Sequence, residues 1–255
     1  MIEVGTQMYL GNHLIGSYVD GHEVFTNPFG YEEASLITDG LIYYIDAAVP
    51  ASYPGSGGFI YDISNSALTM SLANGATYSS VSSSFALDGV NDFINNYNAP
   101  FTVNITTKTM IAWCKLDNVS QQGGGIIGIK NTSNVFDTIT YNETNQGWGF
   151  GSDFYNRTFW TGVKETSTQD WVMITGVYES GTNGYKMYRQ NQLIGQGTQS
   201  VYNFTTNVDY FQGVRLEPSF GFIDGYIPNG LIYNRALSAE EVSQTYNYFK
   251  GRFGL

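Results

Sequence analysis

Residues 225–242 read GYIPNGLIYNRALSAEEV, a strand-like apolar run that leads directly into a helix start. Ser238 and Glu241 have the spacing of a capping box, in which each side chain bonds the backbone amide of the other residue. Four apolar side chains then recur at the spacing of one helical face: Ala239, Val242, Tyr246 and Phe249. This stretch predicts a last strand followed by a C-terminal helix, which Gly251 can end.

From residue 36 onward, strand-length segments alternate with clusters of Gly, Pro, Asn and Asp. Residues 109–116 alternate clearly, and this puts four side chains on one side: Met110, Ala112, Cys114 and Leu116. We interpret Cys114 as a small core residue and the three glycines at 123–125 as a loop. Strands are predicted over residues 41–46, 84–88, 92–97, 109–116, 126–130, 135–141, 148–150, 158–163, 171–178, 185–189, 210–214, 220–226 and 230–233. Many short strands between Gly-rich turns indicate a sandwich or barrel.

The charge distribution excludes two classes of partner. The 255-residue chain has a formal net charge of -11, and no Lys or Arg precedes Lys108. Without a basic surface, binding to nucleic acid or to anionic lipid is not expected, whereas a basic protein or a divalent cation would be attracted. The sequence also shows no signal peptide and no run of about 18 apolar residues, so no membrane insertion is expected. One cysteine allows no intrachain disulfide.

Three segments, in this order, resemble a known superfamily. They are residues 84–94 (SFALDGVNDFI), residues 171–195 (beginning WVMITGVY) and residues 225–242. Together they resemble the laminin-G-like jelly rolls of the concanavalin A-like lectin/glucanase superfamily. Residues 41–64 look like the opening of the versions found in phage virion proteins. The resemblance implies an all-β fold over residues 38–255, a two-sheet antiparallel jelly-roll β-sandwich with one short C-terminal helix. Fold alone does not fix function.

The sequence lacks the patterns of a catalytic site. Glucanases of this superfamily carry Glu-x-Asp-x-Glu on one strand, which brings an acid and a nucleophile to about 5–5.5 Å from each other. This chain contains no Glu-x-Asp or Asp-x-Glu. Both histidines, His13 and His22, lie outside the matched region, and no Ser-His-Asp, HExxH or P-loop pattern occurs. We expect no enzymatic activity.

One aromatic cluster has the composition of a glycan site. Lectin sites combine aromatic platforms with Asn and Asp side chains, and the sequence offers such a set between residues 148 and 160. Its members are Trp148, Asp153, Tyr155, Asn156 and Trp160. The same aromatics could equally belong to the core or to a protein contact.

A calcium ion is a candidate ligand of the turn that holds Asp88 and Asp92. Calcium takes several oxygen ligands at about 2.3–2.6 Å, and two carboxylates with nearby carbonyls could supply some of them. The alternative is that Asp88 only bonds turn amides. No cofactor is required in either case.

Residues 1–37 precede the matched fold and read differently. Their apolar pieces are too small for a second core but too apolar for a solvated tail. Expected assembly contacts are Tyr9, Leu10, Leu14, Ile15, Phe25 and Phe29. We interpret this segment as a docking arm; the competing interpretation is an extra edge strand of the sandwich.

These observations, with the resemblance, lead to two functional hypotheses. The first is a non-catalytic virion structural protein of a phage, a capsid-decoration or tail/fibre attachment module at the particle surface. Its partners would be other virion proteins, further copies of itself and a host surface glycan. The alternative is a carbohydrate-binding, lectin-like module of a cell-surface or secreted protein.

Overall fold

The structure is a computed structural model. Backbone and side chains are described from residue 34 to 255, except at 65, 97–103, 134, 143, 145–146, 152–157, 199–203, 205–207 and 215–220. At 152, 157, 215, 216 and 220 the strand backbone alone is described, as it is for three short strands between residues 7 and 24.

Strands make up most of the described chain. In chain order they are β1 (Gln7–Leu10), β2 (His13–Val19), β3 (His22–Val24), β4 (Leu41–Asp46), β5 (Phe59–Tyr61), β6 (Thr69–Ala73), β7 (Thr77–Ser79), β8 (Ser84–Asp88), β9 (Phe93–Asn96), β10 (Lys108–Leu116), β11 (Gln122–Asn131), β12 (Phe136–Asn142), β13 (Gly147–Ser152), β14 (Arg157–Trp160), β15 (Val172–Glu179), β16 (Gly184–Arg189), β17 (Gln192–Thr198), β18 (Val208–Gln212), β19 (Val214–Leu216), β20 (Phe220–Phe222) and β21 (Asp224–Tyr233). Helix α1 (Ala239–Lys250) follows, with a 3₁₀ turn over Gly251–Phe253.

Two antiparallel eight-stranded sheets form the sandwich. The first sheet has the order β17-β16-β15-β10-β21-β8-β7, and β4 also pairs with β21. The second has the order β14-β13-β12-β11-β18-β9-β6-β5. Strand β21 is long enough to pair with β8 through its first half and with β4 through its second. This arrangement confirms the jelly-roll sandwich that the sequence predicted.

The core lies between the two sheets, and β10 shows how the sequence specifies it. Met110, Ala112, Cys114 and Leu116 are buried in one cluster with side chains from both sheets. This confirms the predicted core face of β10. Burial raises the pKa of the Cys114 thiol well above its ordinary value, so the thiolate required for cysteine chemistry is disfavoured.

The glycine run at 123–125 forms part of strand β11, so the predicted loop is wrong there. The glycines allow other chain segments to lie directly on the strand backbone. A Cβ at Gly124 would lie 2.7 Å from the Ile223 side chain, and one at Gly128 would lie 2.3 Å from the Phe211 ring. Close packing explains Gly124 and Gly128, whereas Gly123 has a φ of +83° at a register shift between β11 and β12.

The helix start has the hydrogen bonds that its sequence predicted. The Glu241 amide donates to Ser238 Oγ at 3.2 Å, and the Ser238 amide donates to Glu241 Oε2 at 2.8 Å. Arg235, just before the helix, pairs with Asp39 at 2.8 Å and with Glu241 at 2.7 Å. The capping box is therefore confirmed.

The chain divides into two compact units, Thr38–Ser243 and a smaller one that combines Met1–Ile37 with Gln244–Leu255. In the smaller unit, β1, β2 and β3 form their own three-stranded antiparallel sheet. Tyr9, Leu10, Leu14 and Ile15 lie in β1 and β2, whereas Phe25 and Phe29 lie outside the described residues. None of the helices described is long and apolar enough to cross a membrane.

Candidate functional site

The strand register of the first sheet aligns side chains that are far apart in the sequence. In β21, Asp224 lies opposite Asp88 of β8, and Tyr226 lies opposite both Ala86 of β8 and Lys115 of β10. Alternate residues of a strand share a face. The intervening residues of β21 are buried, so Asp224 and Tyr226 both point away from the core.

A register shift and a glycine bring strands β10 and β21 unusually close together at this site. The pairing of β10 with β21 shifts register between Trp113 and Lys115, next to Gly225. Gly225 has a φ of +152°, and a Cβ there would lie 2.2 Å from the Lys115 carbonyl oxygen. Only glycine allows this approach. The Gln121 side chain also clamps the Asp224 backbone, accepting from its amide at 2.9 Å and donating to its carbonyl at 3.0 Å.

These outward-facing side chains line a shallow cavity of about 360 Å³. The carboxylates of Asp88, Asp92, Asp117 and Asp224 and the ring of Tyr226 form its functional lining, and we call this set the shelf. Small or polar residues also line the cavity, namely Asn74, Gly75, Thr77 and Ala86, together with Leu87. A shallow cavity with many oxygen acceptors and one aromatic ring suits a polar, hydroxyl-bearing ligand.

The shelf carboxylates repel one another. The pKa of Asp224 is raised, first by burial and then by the negative charges of Asp117 and Asp88. The pKa of Asp92 is raised by burial and by Asp88. Asp88 differs, because hydrogen bonds from backbone amides, above all that of Val90, lower its pKa. Charges gathered against their own repulsion often mark a binding site.

An aromatic–cation cluster adjoins the carboxylates. Lys115 Nζ lies 4.7 Å from the Tyr226 ring centre and 5.7 Å from that of Trp171, within the range of cation–π attraction. The two rings meet edge to face at 6.4 Å, and both are partly exposed. The shelf therefore has an aromatic end next to its acidic centre.

The predicted calcium ligands lie together in this site. Asp92 Oδ2 accepts from the Asp88 amide at 3.2 Å, and Asp88 Oδ1 accepts from Val90 and Asn91 amides. Asp92 is only 4% exposed, and its Oδ1 has no hydrogen-bond partner among the described residues. Among side chains that the structure describes, no group of three or more His, Cys, Asp or Glu could hold a metal ion. Calcium binding stays a prediction.

Trp148 cannot serve as a sugar platform, so that part of the predicted aromatic cluster is wrong. Its side chain is fully buried, and its indole N–H donates to Glu165 Oε1 at 2.7 Å. The inward face of β13 needed a large core side chain, which sequence composition could not distinguish from a surface ring. Trp160, on β14, is partly exposed. Asp153, Tyr155 and Asn156 lie outside the described residues.

Sequence reasoning missed Asp117, Asp224 and Tyr226 as site residues. For Asp224 and Tyr226 the sequence contained one signal: they alternate with apolar or small residues within one strand. That pattern predicts an exposed face. It cannot reveal that the face meets Asp88 from a strand well over a hundred residues earlier in the chain.

Replacing Asp224 with asparagine is expected to stabilise the protein. The pKa of Asp224 is raised in the folded state, so above that pKa the ionised carboxylate destabilises the folded state relative to the unfolded chain. This destabilisation disappears once the pH falls below the pKa of Asp224 in the unfolded chain. Thermal unfolding at pH 7 should show the midpoint of Asp224→Asn about 1–3 °C above wild type. The gain should shrink as the pH falls through 4 and vanish below about pH 3; a lower midpoint at pH 7 would contradict the account.

Comparison with known proteins agrees with the fold. A family model of laminin-G type, described as concanavalin A-like lectin/glucanases superfamily, matches residues 88–243. The sequence has no match among curated proteins.

Solved structures with the same fold share little sequence with this chain. A sialidase from Trypanosoma rangeli in complex with sialic acid aligns with a TM-score of 0.59 and 12% identity over 86% of this chain and 34% of its own. This chain therefore spans about a third of the sialidase. Domain 4 of AbnA, an extracellular arabinanase from Geobacillus stearothermophilus in complex with arabinotriose, aligns with a TM-score of 0.58 and 14% identity, over 82% of this chain and all of that domain. A structure from a study of ganglioside-dependent cell entry of botulinum neurotoxin type C aligns with a TM-score of 0.58 and 13% identity, over 83% of this chain and 51% of its own.

Proposed function

This chain belongs to the concanavalin A-like lectin/glucanases superfamily, and we propose that it is a non-catalytic module that binds neutral glycans on the shelf. The observation that carries the proposal is the juxtaposition of Tyr226 with Asp88 and Asp224 in one cavity. Carboxylates accept strong hydrogen bonds from hydroxyl groups. The partly exposed ring of Tyr226 beside them supplies an apolar contact for the C–H face of a sugar.

The charge of the site selects among glycans. The shelf gathers four carboxylates, and the whole chain carries a net charge of -11. Anionic sugars would meet like charges at close range, which is unfavourable. Neutral sugars with adjacent hydroxyl groups do not incur this repulsion. One structural neighbour, the arabinanase domain, was solved with the neutral sugar arabinotriose, which supports a glycan ligand without identifying it.

A glycan array probed with the labelled wild-type chain tests the proposal. We expect binding to one or more neutral glycans and weaker or no binding to sialylated and uronate-containing ones. Incubation of the bound glycans with the protein should release no reducing ends, because the chain lacks the paired-carboxylate strand of the glucanases. Absence of binding to any neutral glycan would refute the proposal.

We also propose that the module is carried on a phage particle, with residues 1–37 as its attachment segment. Support comes from the resemblance of residues 41–64 and from the separate sheet of β1, β2 and β3. The segment holds five acids and no Lys or Arg, so a basic protein surface would attract it. Virion proteins, further copies of the chain and a host glycan are the proposed partners.

Deleting residues 1–35 is expected to leave a folded sandwich that no longer joins its assembly. The core between the two large sheets lies within residues 38–243, so the thermal midpoint should change little. Size-exclusion chromatography and particle pull-down, with and without added salt, measure assembly. Unfolding or aggregation of the truncated chain would show that the segment belongs to the sandwich.

Calcium is proposed as an optional ligand of the shelf, held by Asp92 Oδ1 with neighbouring oxygens. The structural feature that fits a cation is this buried Oδ1, which no group in the described part of the chain hydrogen-bonds. Millimolar calcium should then raise the thermal midpoint by about 2–4 °C, because a ligand that binds only the folded state stabilises it. EDTA should reverse the gain, and Asp92→Asn should abolish it. An unchanged midpoint under all conditions would dismiss the site.

A further inference from the structure

A buried pair of opposite charges connects the two sheets far from the shelf. Lys108 is the first residue of β10 in the first sheet, and Asp137 lies in β12 of the second. Lys108 Nζ lies 2.5 Å from Asp137 Oδ2, and the two side chains are 0% and 1% exposed. The amine and the carboxyl group are thus held in contact and away from solvent.

Two aromatic rings lie close to the lysine of the pair. Lys108 Nζ lies 4.6 Å from the Phe204 ring centre and 5.8 Å from that of Tyr178. Asp137 Oδ1 is buried and has no hydrogen-bond partner among the groups that the structure describes. A buried ion pair offsets its desolvation only when the remaining lone pairs are also satisfied. This carboxylate does not meet that condition.

We propose that Lys108 and Asp137 condense into an amide bond between their side chains. The ammonium transfers one proton to the carboxylate, and the neutral Nζ attacks Cγ to form the C–N bond. One carboxyl oxygen then leaves with two protons as water, and a neutral amide with one N–H remains. No electrons are exchanged with another molecule, and no co-reactant is consumed.

Two physical effects favour this reaction here. Groups fixed in contact react with effective molarities on the order of 10⁵–10⁸ M, which lowers the barrier to forming the C–N bond. The product also removes two charges from a buried site, where each charge is strongly unfavourable, and the released water regains bulk solvation. In an exposed Lys–Asp pair neither effect operates.

The bond would join β10 to β12 covalently through the core. The chain has one cysteine and therefore no intrachain disulfide. An amide between the sheets would provide a cross-link that reducing agents cannot break. A cross-link also restricts the unfolded chain and so raises stability.

Intact-mass spectrometry of the denatured wild-type protein tests the proposal directly. We expect a mass lower than the sequence mass by one water molecule, and a tryptic digest should contain a branched peptide that joins Lys108 to Asp137. The variants Lys108→Met and Asp137→Ala should show their full sequence masses. A wild-type mass equal to the full sequence mass would overturn the proposal, whether or not either variant folds.

Succinimide formation causes the same mass loss and must be distinguished from the amide bond. Asp-Gly sequences can dehydrate to succinimides, and the chain has four of them: Asp20-Gly21, Asp39-Gly40, Asp88-Gly89 and Asp224-Gly225. Mild alkaline incubation reopens a succinimide and restores its water, whereas an amide persists. Recovery of the full mass after this treatment would contradict the cross-link.

Discussion

Replacing Glu165 with alanine should lower the free energy of unfolding by about 2–4 kcal/mol, because the change leaves the partly exposed Arg189 without its carboxylate and the buried Trp148 N–H without an acceptor. Glu165 is 6% exposed and bonds both sheets. Its Oε1 accepts from Trp148 Nε1 of β13 at 2.7 Å and from Arg189 Nε of β16 at 2.9 Å, and its Oε2 accepts from Arg189 Nη2 at 2.8 Å. The Tyr141 hydroxyl also lies 3.1 Å from the Glu165 amide.

Chemical denaturation of Glu165→Ala measures this loss. The matched control is Glu179→Ala, an exposed acid at the end of β15 whose carboxylate bonds only the nearby Thr182 hydroxyl among the contacts described. The control should change stability by no more than about 0.5 kcal/mol. A loss below about 1 kcal/mol for Glu165→Ala would mean that the network does not hold the sheets together.

Replacing Tyr226 with alanine should weaken glycan binding at least about tenfold, equivalent to about 1.4 kcal/mol. The ring lines the cavity and also holds Lys115 Nζ at 4.7 Å. Its loss removes the aromatic contact and frees the lysine at the same time. Aromatic side chains dominate the energy of many binding sites, so this single residue should have the largest effect on affinity.

Two further variants test whether the lost affinity is due to the Tyr226 ring at the shelf. Tyr226→Phe keeps the ring and should retain most of the affinity, because stacking does not require the hydroxyl group. Tyr61→Ala removes an exposed tyrosine from edge strand β5 of the other sheet and should leave binding unchanged. Titration calorimetry with a glycan that the wild type binds gives the affinities. Equal losses for Tyr226→Ala and Tyr61→Ala would show that the shelf is not the binding site.

Much of the fold could be predicted because local sequence and packing agree. Strands β4 and β8 begin and end where turn residues predict, and the capping box at Ser238 fixes the helix start. The prediction failed where packing overrode local preference. The glycines at 123–125 look like a loop but form strand. The Ile223 side chain occupies the space of a Cβ at Gly124, and Gly123, with a φ of +83°, lies at a register shift of β11. Short strands β5, β6 and β7 lack long apolar runs and were not predicted.

The site was harder to predict from the sequence than the fold was. The turn residues Asp88 and Asp92 were identified, because two carboxylates on one tight turn are visible locally. Asp117, Asp224 and Tyr226 come from separate parts of the chain, and only the register of β8, β21 and β10 brings them together. Trp148 shows the opposite error, since an aromatic residue in a strand has the same sequence signature whether it points to the core or to solvent.

The most direct test of the central claim is to map the bound glycan by chemical-shift perturbation on isotopically labelled protein. Binding at the shelf predicts that the largest amide shifts fall on residues around Asp88, Lys115, Gly225 and Tyr226, and that they are lost in Tyr226→Ala. Shifts concentrated elsewhere, for example along β5, or an unperturbed spectrum at saturating glycan, would contradict it.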